Sequence, residues 1–184
     1  MELQSWGKLY QELASKVSEN IESIKWVDLW HNQVGFLVEE HPFPTPAVFM
    51  AFRILSVEDL SEKVQRVQLQ IDMYYFYETF LDTYQGAYNE DDALDYLEDL
   101  TAIYKLFHAS SGNNYSEMRR TGLAAVDTGS SGNLYRQTFT CSTVDASALT
   151  EFDVVVPGSI EYNKGAAPED EQEPHFKIPL IGGN

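Results

Sequence analysis

One cysteine, Cys141, stands in a chain of 184 residues. A disulfide within the chain needs a second thiol, so none can form, and a cysteine-built metal site is excluded with it. Positive charge is scarce too: 12 lysines and arginines face 29 acids, for a formal charge of -17. That balance argues against a surface that grips phosphate backbones, and it suits a soluble subunit or one lining a passage along which DNA slides without sticking. No stretch approaches the roughly 18 apolar residues of a membrane span, so no membrane partner is expected. The opening MELQSWGKLYQEL lacks a basic start followed by an apolar run, which leads us to expect a chain made in the reducing cytoplasm.

Chemistry-bearing patterns are equally sparse. His31, His41, His108 and His175 form no pair at helical spacing and no HExxH, so zinc hydrolysis has no anchor. The acidic run around Glu90, Asp91, Asp92, Asp95, Glu98 and Asp99 lacks the central glycine and alternating ligands of a calcium loop and reads as a solvated helix face. GSSG at 129–132 lies between two expected strands and is no nucleophile elbow. Neither a phosphate loop nor GxGxxG occurs. Cys141 alternates with Phe139 and Thr143, as a small buried hydrophobe does. No catalytic residue, cofactor or metal is therefore expected.

Large side chains are plentiful, with 43% hydrophobic and 13% aromatic residues, enough for a sizeable core. Leu3, Trp6, Leu9, Tyr10, Leu13, Val17, Ile21 and Ile24 recur at steps of three and four, predicting an amphipathic helix over 3–24. In IKWVDLWH, alternation puts Trp26, Asp28 and Trp30 on one face and Val27 and Leu29 on the other, predicting a strand near 25–31. Pro42, Pro44 and Pro46 then hold the chain extended. AVFMAFRI predicts a strand at 47–54 buried on both faces. The strongest β pattern is 64–77, where Val67, Leu69, Ile71, Met73, Tyr75 and Tyr77 alternate with Arg66, Gln68, Gln70 and Asp72.

A second helix, 90–109, is predicted from Leu94, Leu97, Leu100, Ile103, Tyr104 and Phe107, with Asn89 as its N-cap and Gly112 as its stop. Strands at 118–127 and 134–145 flank a turn-rich stretch and predict a hairpin. The expected fold class is thus α+β, a mostly antiparallel sheet packed against two helices over residues 1–150. Residues 151–184, with seven acids against two lysines, read as an extended acidic C-terminal arm. In that arm Phe176, Ile178 and Leu180 alternate after PEDEQEP, which suits docking of the three on a sheet edge of a neighbouring protein.

Arg119 and Arg120 sit together in a chain poor in positive charge, and Trp26, Trp30, Phe43 and Phe49 gather around the prolines. Arginines and aromatics are what protein interfaces over-use. The candidate interface residues are therefore Trp30, Phe43, Arg119, Arg120, Phe176, Ile178 and Leu180. An ordinary core role accounts equally for the aromatics.

The order of these elements, with HPFPTPAVFMAF, VQLQIDMYYFYE, DDALDYLEDLTAIYKLFHA and LYRQTFTCSTVD in succession, resembles the tail-terminator and minor tail protein family of long-tailed bacteriophages and prophages. The resemblance spans about residues 3 to 147 and rests on Pro42, Phe43, Pro44, Pro46, Ala93, Leu94, Leu97, Tyr135, Arg136 and Phe139. It implies a non-catalytic virion protein that forms a homo-oligomeric, usually hexameric ring at the head-tail junction. Its partners would be the tail tube protein and a head-completion or connector protein, with DNA only as cargo passing through the lumen. The acidic arm has no counterpart in the compact family pattern. Two other readings fit the same composition, a head-completion or connector protein of the same particle and a monomeric acidic immunity or adaptor module.

Overall fold

The computed structural model describes residues 2–36, 42–78, 81–127 and 132–149. In chain order the elements are β1 (Glu2–Leu3), α1 (Trp6–Asn20), β2 (Trp26–Leu29), a 3-10 turn (Gln33–Phe36), β3 (Ala47–Ser61), β4 (Val64–Tyr77), α2 (Glu90–Leu94), α3 (Tyr96–Phe107), β5 (Ser116–Val126) and β6 (Asn133–Asp145). The fold class is α+β, a mixed sheet of six strands with helices packed against it.

The alternating segment becomes β4, the centre of the sheet. It is antiparallel to β3 on one side and to β6 on the other, paired with β6 from Gln65 opposite Asp145 to Tyr77 opposite Asn133. Beyond β6 lie β5, antiparallel, and the short β1, parallel at Val144 and Asp145. At the other edge β2 runs parallel to β3 but covers only Ala47 to Met50.

Both long helices pack on one face. Ser5 caps α1 by accepting from the Lys8 amide at 3.1 Å, satisfying a donor that the first turn leaves open. Leu9, Leu13 and Val17 of α1 and Leu100, Ile103 and Phe107 of α3 are buried against Met50, Leu69, Ile71, Met73, Phe139 and Cys141. Each such apolar side chain contributes about 1.5–3 kcal/mol before chain entropy is counted. The opposite face is apolar only at one end, where Val34 and Leu134 join Phe49 and Phe76 beneath Trp30 and Phe43.

Several boundaries differ from the sequence expectation. The predicted helix 3–24 shortens to α1 because Leu3 joins β1, while Ile21 and Ile24 still reach the core from the following turn. The predicted 90–109 divides at Asp95 into α2 and α3, and Asn89 makes no side-chain cap bond. Gly112 is not the stop: α3 ends when the His108 amide bonds the Tyr104 carbonyl at 2.9 Å, and Ala109 turns the chain with φ 58. The strand expected at 47–54 continues to Ser61, nearly doubling its length, and the expected burial on both faces holds only for Ala47–Met50, because β2 covers no more of it. Helix-sheet packing and the period-two faces hold as expected.

Candidate functional site

Among the described residues no group of three or more His, Cys, Asp and Glu side chains is placed to hold a metal ion. None of the helices there is long and apolar enough to cross a membrane. Cys141 is buried, and burial pushes its thiol up to about 12, which opposes thiolate chemistry. What the structure does offer is surface, in three places.

The first is the aromatic end of the helix-free face. Alternation along β2 carries Trp26, Asp28 and Trp30 to that side, and the Trp30 ring stacks on Tyr74 at 4.1 Å and 11°. Phe43 meets Phe49 edge-on at 5.1 Å and Phe76 at 6.0 Å. Trp30 and Phe43 are both half-buried, so much of each ring already serves the fold. Beside Trp30 a cavity of about 320 Å³ opens between Val34, Gly35, Val126 and Leu134, with Asn32 and Asp127 as its polar lining.

The second is the outer half of β3. Past Met50 the strand has no β2 beside it, so among the described residues its outward amides and carbonyls have no ladder partner from that side. Along it Ile54, Leu55, Val57 and Leu60 are between 43% and 52% exposed. A long, apolar, uncovered edge of this kind is a ready template for pairing with another chain. The register shifts between Ile54 and Ser56 and between Asp59 and Ser61, so the edge is bulged twice.

The third is the polar part of the helix-free face. Pairing places Arg53 opposite Gln70, Gln70 opposite Thr140, and Thr140 opposite Arg119, one row across β3, β4, β6 and β5. Arg136 lies on the same side of β6, opposite Tyr74. Arg53, Arg119 and Arg136 are exposed and make no ion pair among the described residues. Arg66, also on this side, pairs with Glu58 at 2.8 Å.

Adjacent in sequence, Arg119 and Arg120 separate completely in space. Arg120 faces the helices, its guanidinium 3.8 Å from the centre of the Tyr104 ring, and donates to Gln137 Oε1 at 3.3 Å. Gln137, buried, passes the connection on by donating to the Leu100 carbonyl at 2.7 Å. Arg120 thus ties β5 to β6 and α3 within the subunit, whereas Arg119 is left to the surface. Phe176, Ile178 and Leu180 lie outside the described residues.

The uncovered half of β3 and the roles of Arg53 and Arg136 escaped the sequence reading. Alternation ends the predicted strand one residue after Arg53 and puts Arg136 on the face of Thr138 and Thr140, but it does not bring the two arginines to one surface. Ile54, Leu55, Val57 and Leu60 after Arg53 are the available signal for the longer strand, weakened by Glu58 and Asp59, which strands disfavour. Comparison with family models and with the curated proteins found no match.

Proposed function

We propose that this chain is a non-catalytic structural subunit of a phage virion, a tail terminator. Six copies would form a ring that caps the head-proximal end of the tail tube and joins it to the head connector. In this reading the subunit is made in the host cytoplasm, and DNA crosses the lumen only as cargo.

The observation that carries the proposal is the outer half of β3. A long strand with four exposed apolar residues and an edge that no described residue pairs is costly to leave in water and hazardous for a monomer, and a closed ring gives every such edge a partner. The face beside it, where Arg53, Arg119 and Arg136 make no ion pair among the described residues, supplies a second, chemically different surface, as head-to-tail rings require. The acidity of the chain suits a channel wall on which phosphates should find little to hold.

Light scattering coupled to size exclusion tests the reading. The full chain, alone or with tail-tube protein, is expected to elute as a closed oligomer of fixed stoichiometry. A stable monomer at every concentration, with tube protein present, would count against the ring and in favour of a monomeric binding module.

A further inference from the structure

Four of the five arginines in the sequence, Arg53, Arg66, Arg119 and Arg136, fall on the helix-free face of the sheet. Asp28, Glu58 and Asp72 share that face, and Glu58 pairs with Arg66. Arg53, Arg119 and Arg136 make no ion pair among the described residues, which is unusual in a chain of charge -17 and leaves three guanidinium groups to receive anions. We infer that this face receives the acidic stretch 169–173 of a second copy of the chain, an inference that rests on the self-assembly proposed above.

The match is geometric as well as electrostatic. Arg53 and Arg119 end a row of four paired residues on adjacent strands, so at about 4.8 Å per strand their backbones stand roughly 14 Å apart. In an extended segment at about 3.4 Å per residue, Glu169 and Glu173 are also roughly 14 Å apart, and Glu171 shares their side. With the outer two carboxylates on the arginines, Glu171 arrives over the amide of Gln70 and the hydroxyl of Thr140. Gln70 Nε2 donates one hydrogen to Asp72 at 2.8 Å and has a second to give. Asp72, beside the row, itself accepts from Thr138 at 2.6 Å.

Arginine-carboxylate pairs of this kind are bidentate and stronger than neutral hydrogen bonds. Running from Arg119 to Arg53, the segment leaves the sheet over β3. Phe176, Ile178 and Leu180 then follow within a few residues, while the exposed Ile54 and Val57 lie round the β3 edge, on the face that pairs with Leu69 and Val67. A duplex DNA phosphate ladder is the competing anion. It fits less well, because the acids elsewhere on the chain repel it along its whole length.

Charge reversal in the full chain decides the matter. R53E/R119E and, separately, E169R/E173R are each expected to weaken self-association at low salt about tenfold, with unchanged circular dichroism. Combining the two is expected to recover most of the loss. Unchanged self-association in either reversed variant, or no recovery on combination, overturns the inference while leaving the ring intact. A wild-type chain that is monomeric throughout overturns both. Binding of a labelled DNA duplex that R53E/R119E abolishes, with self-association untouched, would reassign the face to nucleic acid.

Discussion

The hydroxyl of Tyr75 donates a 2.6 Å hydrogen bond to the carboxylate of Asp99, fastening the end of β4 to the start of α3. Ser23, in the turn after α1, donates to the other oxygen of the same carboxylate. One half-buried acid therefore joins the central strand, the second long helix and the end of the first. Burial, and next the Asp99 carboxylate, push the Tyr75 hydroxyl well above its ordinary range.

Alkaline pH should therefore destabilise the fold in two stages. The unfolded chain loses the Cys141 proton near 9.0 while the folded one keeps it to about 12, and it loses the Tyr75 proton near 10.0 while the folded one retains it far longer. Both folded values are raised, so the stability they contribute is complete below pH 9 and falls as pH rises, by up to about 1.4 kcal/mol per unit for each group. In urea unfolding series, Cys141→Ala is expected to flatten the slope from 9 to 10, and Tyr75→Phe to flatten it above 10. Tyr75→Phe should also lose about 1–2 kcal/mol at neutral pH through the missing bond. Parallel pH profiles for wild type and variants would contradict this account.

Gly112 is needed for close approach. A Cβ there would lie 1.9 Å from Glu12 Oε1 and 2.6 Å from the Tyr115 ring. Glu12 cannot retreat freely, since its carboxylate accepts from the Asn113 amide at 2.5 Å, the Asn114 amide at 3.0 Å and Asn114 Nδ2 at 2.8 Å. Gly112→Ala is expected to cost about 2–3 kcal/mol in urea unfolding. Glu12→Ala should cost a similar amount, and the double variant less than the sum, because both disturb one contact. A neutral Gly112→Ala would show that the loop yields.

Lysines on the outer half of β3 should separate folding from assembly. Ile54 and Val57 are 47% and 52% exposed, so Ile54→Lys with Val57→Lys is expected to shift the melting temperature by no more than a few degrees, the scale of about 1 kcal/mol. Edge lysines oppose strand addition, and dilution series by light scattering should then find the oligomer dissociating at higher concentration than wild type. An oligomer of undiminished strength would remove β3 from the interface.

Removing 152–184 is expected to leave the melting temperature nearly unchanged and to impair assembly. Among the described residues, the core clusters join both long helices to the sheet. The arm's Phe176, Ile178 and Leu180 would gain only on a neighbour, where about 1.5–3 kcal/mol each is offset by the cost of ordering the arm. Electron micrographs of rings as regular as wild type from the truncated chain would dismiss a role for the arm.

Much of this protein is written in local periodicity. Steps of three and four in α1 and of two in β4 named both the element type and the residues facing the core, because side-chain direction follows backbone geometry alone. Leu9, Leu13 and Val17, and Val67 through Tyr75, lie buried where that reasoning put them. Trp30 was correctly assigned to the face of Trp26 and Asp28, yet its stacking on Tyr74 joins residues far apart in sequence, which no local pattern encodes.

Strand neighbours and register belong to the tertiary structure. Sequence established that Arg119 and Arg120 are adjacent, but only the pairing of β5 with β6 sent one to the solvent side and the other onto Tyr104. Register likewise set Arg53 and Arg119 on one row, and the short reach of β2 left the outer half of β3 without a partner strand among the described residues. A one-residue slip reverses every side chain of a strand, and what fixes the register is burial summed over the whole sheet. Composition and periodicity therefore determined what each segment is, while long-range pairing decided which residues the surface presents together.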